Sequence, residues 1–182
     1  GRRPQDRELI ADDKGGLYVH GRGLTPGVSL HFAKCCSPIP GDRIVGVMRP
    51  GSGVEVHVID CERLAALDDE ETLEQWIDLR WAPEAQADAV SVGRIEATVR
   101  NEPGVLAEIA GAVGEAGGNI TDVRSLERTK DFFSMSFGLE VFDARHLSNI
   151  VAALKTSDRV VSVQRARSAA FPEADPAETE DA

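Results

Sequence analysis

The sequence lacks the features that mark membrane-spanning, secreted or generally nucleic-acid-binding chains. No apolar run approaches the roughly 20 residues that cross a bilayer, and the start shows no signal-peptide pattern. Cysteine is scarce, with only three in 182 residues, and two of these are adjacent. An odd count with two adjacent cysteines does not suit a disulfide framework, so we expect a cytoplasmic location. Because no long apolar run occurs, no membrane partner is expected. Residue 1 is Gly rather than Met, as expected of a fragment or a processed chain.

Aromatic residues and positive charge are also scarce. Aromatics make up 5% of the chain and the formal net charge is −11, so a generally basic nucleic-acid-binding surface is not expected. The acidic excess is uneven, because residues 91–167 carry ten basic and ten acidic residues whereas 168–182 carry five acids. The global charge therefore describes neither folded surface and is compatible with a local basic patch.

Composition divides the chain into five segments. We expect residues 1–16 to be a polar linker, 17–82 a small β-rich unit that holds the cysteines, and 83–90 a second linker. Residues 91–167 form a second folded unit, and 168–182 an acidic tail too poor in apolar residues to fold. The chain is therefore predicted to be α+β, with two small folded units.

Hydrophobic periodicity predicts the elements of both units. In the first unit we expect four short strands, at 28–32, 44–47, 54–58 and 76–81, and one short helix at 61–67. In the second unit the order is β-α-β-β-α-β, which is the ferredoxin-like sandwich of a sheet covered by two helices. Asp143 is expected to cap the second helix of that unit.

Three cysteines and a histidine form the first candidate site. Zinc takes four S/N ligands tetrahedrally, and such a Cys₃His set is supplied by Cys35, Cys36, His57 and Cys61. Adjacent side chains on a strand point to opposite faces, so both thiols reach one ion only if the chain bends just after them. Two alternatives stay open, namely buried thiols with a structural role and a reactive Cys–His pair.

Two turns in the second unit form the other candidate site. One precedes a helix and contains Asn101, Pro103, Gly104, Val105 and Leu106, and the other precedes a strand and contains Gly118, Asn119 and Ile120. Free N–H groups at a helix N-terminus suit a carboxylate, and an Asn amide oxygen suits an ammonium group. The turns lie at opposite ends of the helix, so one α-amino acid site would need two copies packed edge to edge. The alternative is that Asn101 only caps the helix and Gly104 only permits close packing.

No catalytic set is expected in the chain. Neither a P-loop, nor a GxGxxG after a strand, nor an HExxH motif occurs.

Two blocks of sequence resemble known domains. The residues 32–46 (FAKCCSPIPGDRIVG), 51–57 (GSGVEVH) and 60–61 (DC) resemble the conserved-cysteine, zinc-finger-like domain of long RelA/SpoT-family proteins. Residues 91–167 resemble an ACT domain, on the signatures Asn101-x-Pro103-Gly104-Val105-Leu106 and Gly118-Asn119-Ile120. The resemblance implies the C-terminal regulatory end of a bifunctional (p)ppGpp synthetase/hydrolase, without the catalytic domains and therefore not itself an enzyme.

The resemblance also implies partners and ligands. In the family, the four Cys/His residues match a metal or structural set, and Asp60 belongs to the same regulatory signature. ACT domains form homodimers and bind amino acids, here a branched-chain effector such as valine, isoleucine or leucine. Related ACT domains carry a His where this chain has Val99, so an apolar pocket of Val99, Val105, Leu106 and Ile120 is expected. The family's cysteine region contacts the ribosome and its rRNA.

Two functions are therefore predicted. In the first, an ACT dimer senses a branched-chain amino acid and biases the protein's own N-terminal catalytic domains toward hydrolysis. In the second, the chain is a ribosome, rRNA or protein docking module without a small-molecule ligand.

Overall fold

The computed structural model describes residues 9–12, 18–21, 24, 28–66, 75–82 and 90–166. They form two α+β units, here called the N-terminal unit (9–82) and the C-terminal unit (90–166). The predicted linker at 83–90 and the acidic tail at 168–182 lie almost wholly outside the described residues. Among the helices described, none is long and apolar enough to span a bilayer.

The N-terminal unit is a six-stranded sheet with one short helix. Its elements are β1 Leu9–Asp12, β2 Tyr18–Gly21, β3 Leu30–Phe32, β4 Ile44–Arg49, β5 Gly53–Val58, α1 Glu62–Ala65 and β6 Trp76–Trp81. The strand order is β1-β2-β6-β4-β5-β3. All neighbours are antiparallel except β3 and β5, which run parallel. The strands and the helix expected in this unit are confirmed.

Two strands of this sheet were not expected from the sequence. Residues 9–12, assigned to a polar linker, form β1, and residues 18–21 form β2. Each has only four residues, too few for a local alternation to show. These strands form by pairing with other strands. β2 pairs with β1 on one side and with β6 on the other, where its Val19 lies opposite Trp81. The predicted linker at 1–16 therefore contains an edge strand.

The C-terminal unit has the predicted β-α-β-β-α-β order. Its elements are β7 Ser91–Arg100, α2 Val105–Glu115, β8 Asn119–Arg128, β9 Phe132–Val141, α3 Ala144–Leu154 and β10 Val160–Arg165. The sheet order is β10-β7-β9-β8 with antiparallel neighbours. Buried and more exposed residues alternate along β7, so one face packs against the helices. Asp143 caps α3 as predicted, since its Oδ1 accepts from the His146 N–H at 2.8 Å.

The two units share buried residues. Ile39 of the N-terminal unit is fully buried, and it belongs to the hydrophobic core that β7, β9 and the helices of the C-terminal unit form. The segment that carries it directly follows two of the cysteines. The cysteine cluster therefore lies close to the junction between the units.

Candidate metal centre and amino-acid site

The four predicted metal ligands come together. Cys35 and Cys36 lie in the turn after β3, His57 lies in β5, and Cys61 precedes α1 as its N-cap residue. All four side chains are buried, and one ligand atom from each lies within 4.8 Å of the others. The sequence alone indicated this grouping, although the residues span 27 positions of the chain.

The spacing of the ligand atoms fits a tetrahedral ion. Zinc bonds of about 2.3 Å to sulfur and 2.05 Å to nitrogen place sulfurs about 3.8 Å apart and sulfur about 3.5 Å from nitrogen. The Cys35 Sγ lies 3.6 Å from the Cys61 Sγ and 4.0 Å from the Cys36 Sγ. The His57 Nδ1 lies 3.5 Å from the Cys35 Sγ and 3.8 Å from the Cys36 Sγ. The donor set therefore suits zinc in its chemistry, and these four distances are close to the tetrahedral values.

A sharp turn allows two adjacent cysteines to face one point. Ser37 has a φ of 45°, in the left-handed region, and its N–H donates to the Ala33 carbonyl at 3.0 Å. The chain therefore bends immediately after Cys36, as the metal hypothesis required. This turn removes the geometric objection that an extended strand would raise.

Glu55 orients the histidine of the cluster, and sequence reasoning missed it. The His57 Nε2 lies 2.5 Å from the Glu55 Oε1, which leaves Nδ1 toward the thiols. Metal-binding histidines commonly donate their second ring N–H to a carboxylate, which fixes the tautomer. Residues two apart on a strand share a face, so the Glu-x-His spacing was a signal that could have revealed this pair.

Burial raises the pKa of two of the thiols. Burial raises the pKa of Cys36 well above its ordinary value, although the Val58 N–H donates to its Sγ at 3.3 Å and acts in the opposite sense. Burial also raises the pKa of Cys35, and the hydrogen bond with Cys61 adds to this. A reactive cysteine needs a lowered pKa, so these shifts disfavour Cys35 and Cys36 as nucleophiles.

Asp60 lies beside the cluster but not in it. It is exposed in the turn between β5 and α1. With Cys61, Arg43 and Arg165 it lines a cavity of about 390 Å³ where the two units meet.

The first turn of the amino-acid site precedes α2. Gly104 is the N-cap residue with a φ of 83°, and no side chain caps the helix. Asn101 instead donates from Nδ2 to the Thr129 carbonyl at 2.7 Å, so the alternative that it caps the helix is wrong. Pro103 and Gly104 are exposed, as is Leu106, whereas Val105 is buried.

An arginine that the sequence did not single out lies at this turn. The Arg159 Nη1 donates to the Pro103 carbonyl at 3.2 Å. Its Nε lies 3.6 Å from Glu102 and 3.5 Å from Glu108. A positive side chain is therefore held at the N-terminal end of α2, where the helix dipole is also positive. Its position 56 residues from Pro103 left no local signal.

The second turn leads into β8. Asn119 is exposed, and its Nδ2 lies 3.4 Å from the Glu140 Oε1. Gly118 packs closely, because a Cβ there would lie 2.7 Å from the Ile150 side chain. Ile120 is half-buried. Val99, expected in the same pocket, is fully buried in the core of the unit.

The two turns lie at opposite ends of α2, and the strand pairing also places them at opposite ends of the sheet. Asn119 pairs with Glu140, which pairs with Val92, whereas Arg100 at the other end of β7 pairs with Phe132. Eight residues at about 3.4 Å each separate these positions by roughly 27 Å. One copy of the chain therefore does not unite the candidate residues.

Comparison with known proteins assigns both units. Residues 19–82 match the RelA/SpoT RIS domain and residues 92–165 match the ACT domain. The "GTP pyrophosphokinase rsh" of Brucella ovis is 38% identical over 144 residues, covering 79% of this chain and 19% of the relative. The chain belongs to the RelA/SpoT family. It corresponds to that family's C-terminal regulatory region, so the N-terminal unit is the RIS domain and the C-terminal unit is the ACT domain.

A second curated relative agrees with this assignment. The "Bifunctional (p)ppGpp synthase/hydrolase RelA" of Mycobacterium tuberculosis is 33% identical over 170 residues, covering 93% of this chain and 21% of the relative. The chain thus spans about a fifth of the curated relatives it matches. The crystal structure of the ACT domain from GTP pyrophosphokinase of Chlorobium tepidum aligns with a TM-score of 0.38 and 17% identity. That alignment covers 42% of this chain and 99% of that one.

Proposed function

We propose that the chain is a non-catalytic regulator within a stringent-response (p)ppGpp synthetase/hydrolase of the cytoplasm. The observation that supports this is the order of a RIS and an ACT domain in one chain whose relatives carry GTP pyrophosphokinase names. The purified 182-residue chain should then show neither pyrophosphate transfer from ATP nor (p)ppGpp hydrolysis. Measurable turnover of either kind would contradict the proposal.

The ACT domain, in this proposal, acts as a homodimer joined through β8. β8 is a ten-residue edge strand with Val123 and Leu126 exposed. In the described residues no strand pairs with its outer side, and such an edge is a ready template for a second chain. The opposite edge, β10, is shorter and is contacted at Arg165 by the RIS domain. β8 is therefore the favoured edge.

This pairing would complete the amino-acid site. An antiparallel β8 pair centred between Val123 and Arg124 places Asn119 of one copy opposite Arg128 of the other. Arg128 donates from Nη2 to the Asn101 Oδ1 at 3.4 Å. Asn119 of each copy would thus meet the Asn101 turn of the second copy, which is the juxtaposition that one copy lacks. This geometry carries the sensor proposal.

The ligand of this site is proposed to be valine, isoleucine or leucine. Its carboxylate would lie near the Val105 and Leu106 N–H groups and its ammonium near Asn119. Its apolar side chain would lie against Ile120 and the exposed part of Leu106, whereas Val99 is fully buried in the core. Binding would bias the catalytic domains of the parent protein toward hydrolysis.

Calorimetry with valine tests the site. Asn119→Ala removes the hydrogen bond from the ligand's ammonium group to the Asn119 amide oxygen. A hydrogen bond to a charged group contributes about 1.5–3 kcal/mol, so binding should weaken by about tenfold to a hundredfold. Asn149→Ala, an exposed Asn on α3, is the matched control and should bind like wild type. Equal affinity in all three proteins would place the ligand elsewhere, and no binding to wild type would exclude the sensor function.

Zinc is proposed as the metal of the RIS domain, held by Cys35, Cys36, His57 and Cys61. Bound zinc would supply structural cross-linking of the turn after β3 to β5 and α1, and the protein ligands would fill all four positions. Metal analysis of protein purified without chelator should find about one zinc per chain. Less than roughly a tenth of an equivalent would favour buried thiols instead.

A second candidate function is docking on an anionic surface such as rRNA. A cavity of about 570 Å³ on the RIS domain is bordered by three positive side chains, Lys34, Arg49 and Arg63, and by one acid, Glu55, which lies 3.7 Å from Arg49. This patch exists although the whole chain is acidic. Binding to ribosomes should weaken as salt rises, and Lys34→Gln should reduce the salt slope by about one unit. Lys155→Gln on the ACT domain is the control, and equal slopes would contradict docking at this face.

A further inference from the structure

The segment from Ser37 to Asp42, here called the junction loop, leaves the cysteine cluster and enters the ACT domain. Ile39 on this loop is fully buried in the ACT core. Gly93 of β7 leaves room for Leu147 of α3, which would lie 2.8 Å from an added Cβ, and the Ile39 Cδ1 lies at contact distance, 3.6 Å, from the same point. A side chain of the RIS domain thus completes the packing under α3.

The junction loop also supplies part of the N-terminal cap of α3. The Pro40 carbonyl accepts a hydrogen bond from the Ala144 N–H at 2.8 Å. Amides in the first helical turn have no partner within the helix, so this bond replaces water at that position. Gly41 brings the chain close, with a φ of 93° and only 3.3 Å from an added Cβ to the Ala144 Cβ.

An ion pair joins the loop to β10. The Asp42 carboxylate accepts hydrogen bonds from both Arg165 Nη atoms, each at 2.6 Å. The Arg165 Nη2 also donates to the Ser37 carbonyl at 3.1 Å. The Asp42 side chain is 6% exposed and the Arg165 side chain is 19% exposed. Burial would by itself lower the pKa of Arg165, but the hydrogen bonds and charge of Asp42 raise it above its ordinary value. Planar, paired contacts of this kind fix orientation as well as distance.

The same aspartate ties the loop to the RIS domain. The Asp42 Oδ2 accepts from the Ile39 N–H at 2.8 Å, which closes the loop on itself. The Trp81 Nε1 donates to the Asp42 carbonyl at 3.1 Å, so β6 of the RIS sheet holds the base of the loop. One residue therefore contacts both domains.

We propose that the junction loop couples the cysteine cluster to the ACT domain, so that the two domains unfold as one unit and a ligand of either stabilises the other. The loop begins one residue after Cys36, so an ion that fixes Cys35 and Cys36 also fixes the start of the loop. Its far end holds α3 and β10. Coupling between two sites is reciprocal by thermodynamic necessity.

The chain offers a separate probe for each domain. Both tryptophans, Trp76 and Trp81, lie in the RIS domain, so their fluorescence reports its unfolding. Among the described helices, α2 and α3 have eleven residues each and α1 only four, so circular dichroism at 222 nm reports mainly the ACT domain. For the full chain in urea, the two curves should share one midpoint.

Two matched variants separate coupling from simple destabilisation. Asp42→Asn breaks the pair between the domains and should split the two midpoints. Asp122→Asn breaks a similar paired contact with Arg94 that lies wholly within the ACT sheet, and it should lower both midpoints together. If Asp42→Asn fails to fold, Arg165→Lys keeps the charge but loses the paired geometry and should split the midpoints in the same way.

Zinc supplies a second arm of the test. Saturating zinc should raise both midpoints in wild type but only the fluorescence midpoint in Asp42→Asn. Distinct midpoints in wild type, coincident midpoints in both junction variants, or a zinc effect confined to fluorescence in wild type would each overturn the coupling. If the chain binds no zinc, the metal proposal fails and the urea curves alone decide the coupling.

Discussion

At the scale of single residues, we expect the hydrogen bond between Glu55 and His57 to strengthen metal binding by the cluster. Glu55→Gln removes the carboxylate that fixes the ring tautomer, and the affinity for zinc should fall by about tenfold to a hundredfold. Competition with a chromophoric chelator measures this change. Glu62→Gln, an exposed acid in α1, controls for the lost charge, and equal affinity in the two variants would show that Glu55 does not position the ligand.

We expect the pair of Asp122 and Arg94 to make the ACT sheet sensitive to acid. It crosses β9 at Gly138, where a side chain would collide with Asp122. The hydrogen bonds from Arg94 lower the pKa of Asp122, against a smaller opposing effect of burial. Since the folded pKa is the lower one, the pair stabilises the fold above the ordinary Asp range, and this contribution is lost as pH falls through the lowered value.

This sign gives a direct prediction for Asp122→Asn. At pH 7 the variant should unfold at lower urea than wild type, and the difference in midpoint should shrink toward zero below about pH 4. Urea curves recorded by circular dichroism between pH 2 and 7 provide the comparison. A difference that stays constant with pH would mean that the charge of Asp122 contributes nothing.

At the scale of elements, the sequence predicted those strands and helices whose own residues carry the period. The alternation along β7 and β9 and the helical spacing in α2 are complete within ten or eleven residues. β1 and β2 carry no such signal, because each strand has only four residues. They form by pairing with each other and, for β2, with β6. The bend at Ser37 was a condition of the metal hypothesis, but its left-handed φ could not be read from a serine.

The exposed edge of β8 gives a prediction about assembly. A lysine on an edge strand discourages pairing with a second chain, so Val123→Lys should convert the expected dimer to a monomer. Val161→Lys places the same charge on β10, the other edge, where Val161 is also exposed, and it should remain dimeric. Light scattering after size exclusion measures both masses. Loss of the dimer in both variants, or in neither, would exclude β8 as the dimer interface.

At the scale of the whole molecule, proximity across the sequence was the hardest feature to predict. The cysteine cluster could be predicted from the sequence because Cys and His are typical metal ligands. Asp42 and Arg165 lie 123 positions apart and belong to the commonest classes of surface residue, so no local pattern links them. The coupling between the domains therefore emerges only from the folded chain.

The final prediction concerns the two proposed ligands together. If the junction loop couples the domains, saturating zinc should raise the affinity for valine, and valine should raise the affinity for zinc by the same factor, within about 5- to 150-fold. Calorimetry of each titration with and without the other ligand closes the cycle. In Asp42→Asn both ligands should still bind, because neither proposed site includes that residue, but the factor should fall to about one. If zinc and valine bind independently in wild type, the coupling is contradicted, and the two domains share a surface without affecting each other's affinity.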